Sequence, residues 1–362
     1  MSKDIVILGG ARDYHAMDWY RTVKSIIPDR KLTFLTDLIS GEGFNVIIED
    51  GDCIEKLFLI DRFLFSKQSK LGNFWRNIFK LLVLPIQIFF LRKYNKRNPN
   101  TIYHAHPMYY MFLCYLSNVN YVGTPQGSEI LVRPQRSILY RLLAIRSLRN
   151  ANYVTVDSVS MQEKIYELSG VKATIIQNGV DVDTLLKING DHSEKNKVTS
   201  IRGMTNLYRI DEIVDAKNSS RIKEPIRFIY PFWEESYRLH VKSKLTELDI
   251  DIGRLNKKDM YALLASSKLV ISIPRSDSSP RSVYEAIFLG ACVAITYNKY
   301  YESLPSCMKK RIYIVNLENP NWYDEALLFA NKVSKNRYIP SELALNLFDQ
   351  KISMRNAINK LY

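Results

Sequence analysis

The chain has 362 residues, 46% of them hydrophobic and 24% charged, enough for two ordinary domains with a sizeable core in each. Its four cysteines (Cys53, Cys114, Cys292 and Cys307) include no CxxC pair, which argues against a zinc site or a thiol redox motif and fits a reducing compartment. The net charge of +14 suits an anionic partner, whether nucleic acid, an acidic membrane surface or a phosphorylated substrate, and does not choose among them.

Residues 5–8 read as a strand with no signal-peptide layout before it. Gly9-Gly10 marks a turn, and 14–26 a helix. Strands are expected at 32–35 and 44–48, then a long helix over 71–94 with a kink at Pro85. Its apolar run, 81–91, is interrupted by Pro85 and Gln87 and is too short to cross a bilayer. A strand at 101–104 and a helix at 108–116 follow, then strands at 119–122, 153–156 and 173–177 around a helix at 159–168. Residues 189–197 carry no periodic apolar side chain and read as a linker. A second series comes next, with strands at 198–201, 226–230, 268–271 and 291–295. Its helices are expected at 210–216, 234–248, 257–265 and 283–289, and 341–362 reads as helical. Strand–helix alternation of this kind predicts α/β architecture with doubly wound parallel sheets. The expected division is a first domain over 1–188, a second over 189–345, and a helix over 346–362 packing back on the first. A cleft between two such domains is a common ligand site.

Within this frame the richest segment runs from Ser272 to Gly290, a polar loop and a helix between the strands at 268–271 and 291–295, with acids at Asp277 and Glu285. In open α/β sheets, ligands bind outside the carboxyl ends of the strands. Asp277 is either a solvated loop acid or an acceptor for sugar hydroxyls. Glu285, three residues after Ser282, has the spacing of a helix capping box. The alternative is that it grips a ribose while helix N–H groups face phosphate. His104-Ala105-His106 follows the strand at 101–103. The two imidazoles are expected on opposite faces and so not on one metal, with His106 nearer the crevice. Gly9-Gly10 is a plain turn or a close-approach loop, and it lacks the GxGxxG spacing. Thr124-Pro125-Gln126-Gly127-Ser128-Glu129 also follows a strand, and Gly127 would admit a close backbone approach. Asn178-Gly179-Val180-Asp181 is a turn signal with a backbone contact role open to it. Lys67, Lys70, Arg76, Lys80, Arg92, Lys93, Lys96 and Arg97 surround Phe74, Trp75, Phe79, Phe89 and Phe90. They form either a solvated basic face or a surface that leans on anionic lipid. No nucleic-acid-binding module is recognisable.

Taken in order, His104 to His106, Thr124 to Glu129, Ala151 to Ser158, Asn178 to Asp181 and Asp277 to Gly290 resemble the retaining GT-B glycosyltransferases of the large family four. The resemblance covers most of the chain, and the Asn-Gly-Val-Asp turn and the acid-x7-Glu-Ala motif are its most specific parts. It implies two Rossmann-like domains facing a central cleft, with a nucleotide-diphosphate sugar on the second and a glycan or lipid-linked acceptor on the first. It further implies no metal and no cofactor beyond the donor substrate. Arg202 and Arg209 would support the diphosphate and Glu285 the ribose. Asp277 with the N–H groups of Ser278 and Ser279 would hold the sugar, and His106 would lie near the donor sugar or acceptor. Ser282, Arg281, Asn178 and Gly179 complete the donor side, and Gly9, Gly10, Gln126, Gly127, Ser128 and Glu129 the acceptor side. Four positions depart from the family pattern. Asp277 stands for a Glu, Pro280 withholds an N–H from the sugar loop, Tyr208 falls near the second cation's place, and Gln126 stands where the family often has His. The expected activity is transfer of a hexosyl group with retention, in cell-surface polysaccharide synthesis, in the cytoplasm with peripheral contact at the inner membrane face. A sugar-nucleotide epimerase of the same fold and a catalytically silent binding subunit are the alternatives.

Overall fold

The computed structural model describes residues 3–10, 14–37, 51–58, 70–176, 179–191, 194–277 and 279–362. The chain divides into two units, residues 1–176 with 354–362, and residues 177–353.

The first unit carries strands β1 (Asp4–Leu8), β2 (Leu32–Thr36), β3 (Ile54–Lys56), β4 (Thr101–Ala105), β5 (Tyr121–Gly123), β6 (Tyr153–Val156) and β7 (Thr174–Ile175). They are parallel and lie in the order β3-β2-β1-β4-β5-β6-β7. Its helices are α1 (Tyr14–Ile26), α2 (Lys70–Arg97), α3 (Met108–Ser117), α4 (Gly127–Leu131), α5 (Arg133–Arg136), α6 (Ile138–Asn150) and α7 (Val159–Ser169). β1 shows why its sequence is apolar from Ile5 to Leu8. Successive side chains point to opposite faces, so Ile5 and Ile7 pack with α1 residues Met17 and Tyr20. Val6 and Leu8 pack with Met111 of α3 and Leu148 of α6. A parallel sheet covered by helices on both faces needs such continuous runs. Helix α2 runs through Pro85. The strand expected at 44–48 lies outside the described residues.

The second unit carries β8 (Lys197–Ser200), β9 (Ile226–Ile229), β10 (Ile250–Gly253), β11 (Ser267–Ser272), β12 (Cys292–Thr296) and β13 (Ile312–Val315). All are parallel, in the order β10-β9-β8-β11-β12-β13. Its helices are α8 (Val182–Asp191), α9 (Ile210–Ser219), α10 (Glu235–Lys244), α11 (Lys257–Ala265), α12 (Arg281–Phe288), α13 (Ser306–Lys309), α14 (Trp322–Val333), α15 (Glu342–Phe348) and α16 (Gln350–Leu361). From Met354 onward, α16 belongs to the first unit. Again one strand feeds two cores. Val270 of β11 packs with Tyr261 and Val283, while Leu269 and Ile271 pack with Ile213 and Tyr323.

Two expectations about organisation are corrected. Residues 177–188 group with the second unit, because Val182 and Leu185 of α8 are buried in its core. The polar run 189–197 is therefore not the boundary. Lys195 Nζ donates to the carbonyls of Ala265 (2.7 Å) and Leu289 (2.6 Å), the last carbonyls around α11 and α12, which a cation satisfies well. The helix expected over 341–362 is two helices. At Asp349 the backbone is extended, φ −69° and ψ 119°. There Val180 N–H donates to the Phe348 carbonyl (2.8 Å) and Gln350 N–H to the Val180 carbonyl (3.0 Å).

Candidate functional site

In the second unit the strand order reverses between β8 and β11, which is where a crevice opens outside the carboxyl ends of an open α/β sheet. Arg202 follows β8 and Asp277 follows β11. The structure joins them in a part-buried ion pair. Arg202 Nε also donates to Ser272 Oγ at 2.7 Å, and the guanidinium lies over the Tyr208 ring, 5.5 Å from its centroid. A carboxylate, a hydroxyl and a π face thus hold one cation in place. Tyr300 is buried beside the pair. Burial and then the Asp277 charge push its phenol up, against Arg202. Burial also raises the Tyr208 phenol, with Arg202 opposing and Asp277 adding. The loop behind Asp277 is pinned by Thr296 Oγ1, which donates to the Pro274 carbonyl at 3.0 Å.

Arg209 takes a left-handed conformation, φ 51° and ψ 42°, closing the short turn at Asn206–Tyr208. Its Nε lies 3.6 Å from Glu212 Oε1, and Arg275 reaches the same oxygen at 3.5 Å. An acid on α9 therefore engages the second cation expected at this crevice. Gly203 permits a tight approach, since a Cβ there would fall 2.4 Å from the Phe232 ring.

Glu285 is not a helix cap. Helix α12 starts at Arg281 with Pro280 as its N-cap residue and no side-chain cap, and Val283 N–H donates to the Pro280 carbonyl at 2.9 Å. Ser282 is thus already the second helical residue, and Glu285 lies in the second turn. Its buried carboxylate accepts a hydrogen bond from the Tyr261 hydroxyl at 2.7 Å, with Arg281 Nε at 3.6 Å. Burial, and then the Glu285 charge, push the Tyr261 phenol far up, so it stays a donor. Gly290 closes the helix as its place in the sequence predicts, with φ 82°. Ser279 Oγ lies 3.5 Å from the Tyr284 hydroxyl. Ser278 and Asn178 lie outside the described residues. The neighbouring Gly179 serves the fold, because a Cβ there would sit 2.6 Å from Gln350 N and Cα and from the Phe348 carbonyl oxygen.

The first unit repeats the pattern. Its strand order reverses between β1 and β4, so Gly9 and His106 meet at the switch point. His106 N–H donates to the Leu8 carbonyl at 2.9 Å, and a Cβ on Gly9 would lie 3.0 Å from the His106 carbonyl oxygen. Gly10 is buried beside it. The two histidines are not on opposite faces. Residues i and i+2 of a strand share a face, and the rings of His104 and His106 are 4.4 Å apart. His104 is fully engaged: Nδ1 with the Tyr362 hydroxyl and Nε2 with Thr124 Oγ1 at 2.8 Å. Trp19 Nε1 donates to that same tyrosine hydroxyl at 3.0 Å. Burial, reinforced by His106, holds the His104 pKa well below its ordinary value. Among the described residues, no group of three His, Cys, Asp or Glu is placed to hold a metal ion.

On the next loop, Gln126 and Ser128 are exposed and Gly127 opens α4. Glu129 turns inward, where its Oε2 accepts from Gln126 N–H (3.1 Å) and Met108 N–H (2.8 Å). It ties the loop after β5 to the first residue of α3, directly behind His106. Burial holds its pKa above the ordinary carboxylate value, against the opposing pull of these two hydrogen bonds. Ser272, Tyr261, Tyr300, Trp19 and Tyr362 were invisible as site residues in the sequence. Each contributes through a partner far along the chain, and no local spacing marks it.

Among solved structures, the chain is similar to HepE from Anabaena, crystallised with UDP and glucose, at a TM-score of 0.70 and 14% identity over 99% of this chain and 98% of that one. It is similar to the sucrose-phosphate synthase of Thermosynechococcus elongatus at a TM-score of 0.72 and 11% identity, with the same coverage, 99% and 98%. This is the GT-B fold. A protein of Listeria monocytogenes described as a UDP-N-acetylglucosamine 2-epimerase shares it too, at a TM-score of 0.61 and 14% identity over 99% of this chain and 95% of that one. No family model and no curated protein matches the sequence.

Proposed function

We propose that this GT-B chain is a glycosyltransferase that takes a sugar from a nucleotide-diphosphate donor and transfers it, with retention, to a glycan or lipid-linked acceptor in cell-surface polysaccharide synthesis. The observation that carries the reading is the Arg202–Asp277 pair at the switch point of the second unit. A fixed cation and an acid at the carboxyl edge of a Rossmann-like sheet are what a diphosphate bearing a polyhydroxyl group requires. HepE, of the same fold, was crystallised with UDP and glucose.

In this scheme Arg202 stabilises the charge that grows on the diphosphate as the glycosidic bond breaks, and the positive end of α12 adds to it. No metal or cofactor is needed for that neutralisation. Asp277 leaves Arg202 when the donor arrives and accepts hydrogen bonds from sugar hydroxyls. Glu285, held by Tyr261, faces the ribose. Arg209 stands as a reserve cation behind Glu212. His106 and Gly9, at the switch point of the first unit, serve the acceptor, and the leaving phosphate takes the acceptor's proton. The protein works in the cytoplasm, against the inner face of the membrane.

The test is a panel of nucleoside diphosphates in thermal melts, followed by product analysis with labelled nucleotide sugars. Ligand at about a hundred times Kd adds ~2.7 kcal/mol, which moves Tm by about 5–10 °C for a unit of this size. Arg202→Ala should abolish the shift. If no nucleoside diphosphate raises Tm in the wild type, the proposal fails. An altered sugar nucleotide formed without acceptor would establish the epimerase reading, which the Listeria neighbour favours. Binding without any product in the presence of acceptor would mark a silent subunit.

A further inference from the structure

Helices α2, α3 and α6 lie side by side on one face of the first sheet, since the connections β3–α2–β4, β4–α3–β5 and β5–α6–β6 all cross in the same direction. Lys80 of α2 lies over the Tyr109 ring of α3, 4.1 Å from its centroid, and Phe112 of α3 meets Tyr140 of α6 at 5.3 Å between ring centroids. Both contacts involve the first turns of α3, next to the end of β4 where His106 stands.

On either side of α3 the outer surface is apolar. Leu82 and Phe89 of α2 are 66% and 63% exposed, and Ile138 and Leu139 of α6 are 78% and 80% exposed. Ile86 and Leu142 continue the two stripes. A single exposed leucine needs no explanation, but paired stripes of this kind mark an interaction surface. Their charge is one-sided. α2 contains no acidic residue, and the run from Arg133 to Asn150 has five arginines and no acid. Exposed apolar side chains set among cations alone are the chemistry of a surface that inserts shallowly into an anionic bilayer.

We propose that the outer faces of α2 and α6 form one docking surface for an anionic lipid bilayer, placing the carboxyl edge of the first sheet at the headgroups. The basic aromatic stretch of α2 was legible in the sequence; α6 supplies the other half. The inference rests on the reading of a lipid-linked acceptor, which this surface would bring to His106 from within the membrane.

The experiment is flotation of the full chain with phosphatidylcholine vesicles, with and without phosphatidylglycerol, while the UDP-induced Tm shift is read on the same samples. The wild type should float with the anionic vesicles and be released by salt. The double change Ile138→Asp and Leu139→Asp should reduce binding at least about tenfold, and Arg141→Gln about fivefold. Both variants should retain the wild-type Tm shift with UDP. No flotation alongside an intact UDP shift would overturn the surface and leave the glycosyltransferase reading standing. Flotation without any nucleotide shift would do the reverse. A concentration-dependent dimer abolished by the aspartate pair would mean that the face covers a second copy, and would overturn the assignment.

Discussion

The ion pair between Arg202 and Asp277 makes an unusual prediction. Without donor, the cation proposed for the diphosphate is occupied by the acid proposed for the sugar. Asp277→Asn keeps the size and shape of the side chain but removes its charge, so it should strengthen binding of a bare nucleoside diphosphate. The magnitude follows from distance. Released from the guanidinium but still on its loop, the Asp277 carboxylate stays about 6 Å from the nearest phosphate oxygen, the span of two charge-assisted contacts. In the high effective dielectric of a part-exposed site, two unit charges at that separation repel by ~0.7–1.4 kcal/mol. A diphosphate with two charges near Arg202 therefore gains ~1.5–3 kcal/mol, or about 10- to 100-fold in Kd. The nucleotide sugar should gain less, because the same change weakens the acceptor for the sugar hydroxyls. Isothermal titration with UDP and with UDP-sugars, on the wild type and Asp277→Asn, reads both numbers. UDP binding that is weakened, or unchanged within about twofold, would refute the reasoning, since Asp277 would then not compete with the diphosphate for Arg202.

Two further predictions concern the frame around the site. Gly179→Ala places a methyl 2.6 Å from the backbone of Phe348 and Gln350, which cannot yield as a side chain can, so thermal melts should show a loss of ~1–3 kcal/mol. His104 has a depressed pKa in the folded state, caused by burial and then by His106. Below the ordinary value of 6.5 the unfolded chain binds a proton that the folded chain refuses, so stability should fall with falling pH by up to ~1.4 kcal/mol per unit until the folded pKa is reached. Denaturant unfolding between pH 7 and 5 should show this slope, and His104→Gln should flatten it.

The architecture was legible because it rests on local signals. Continuous apolar runs such as residues 5–8 and 269–271 alternate with amphipathic segments, and that alternation dictates parallel strands and crossover helices. The order of the motifs pointed to the GT-B fold, and Gly9 with His106 and Arg202 with Asp277 stand at the switch points of their sheets, whereas Thr124 to Glu129 follows β5, away from one. Pairings set by tertiary structure were not legible. Arg202 and Asp277 are 75 residues apart, and Tyr261 and Glu285 are 24 apart. The Ser282–Glu285 spacing imitated a capping box because sequence alone does not say which residue opens the helix; Arg281 does, after Pro280 at the N-cap. The polar run at 189–197 imitated a linker because its one structural lysine, Lys195, acts through carbonyls about 70 and 94 positions away. His104 and His106 were set on opposite faces against the period of a strand, and the structure restores them to one.

The most direct test of the central claim is a structure of the chain with UDP bound. The account predicts the diphosphate within hydrogen-bonding distance of the Arg202 guanidinium, with Asp277 released from it and the ribose at Glu285. UDP bound away from the β8–β11 switch point, or bound there with the Arg202–Asp277 pair intact, would contradict it.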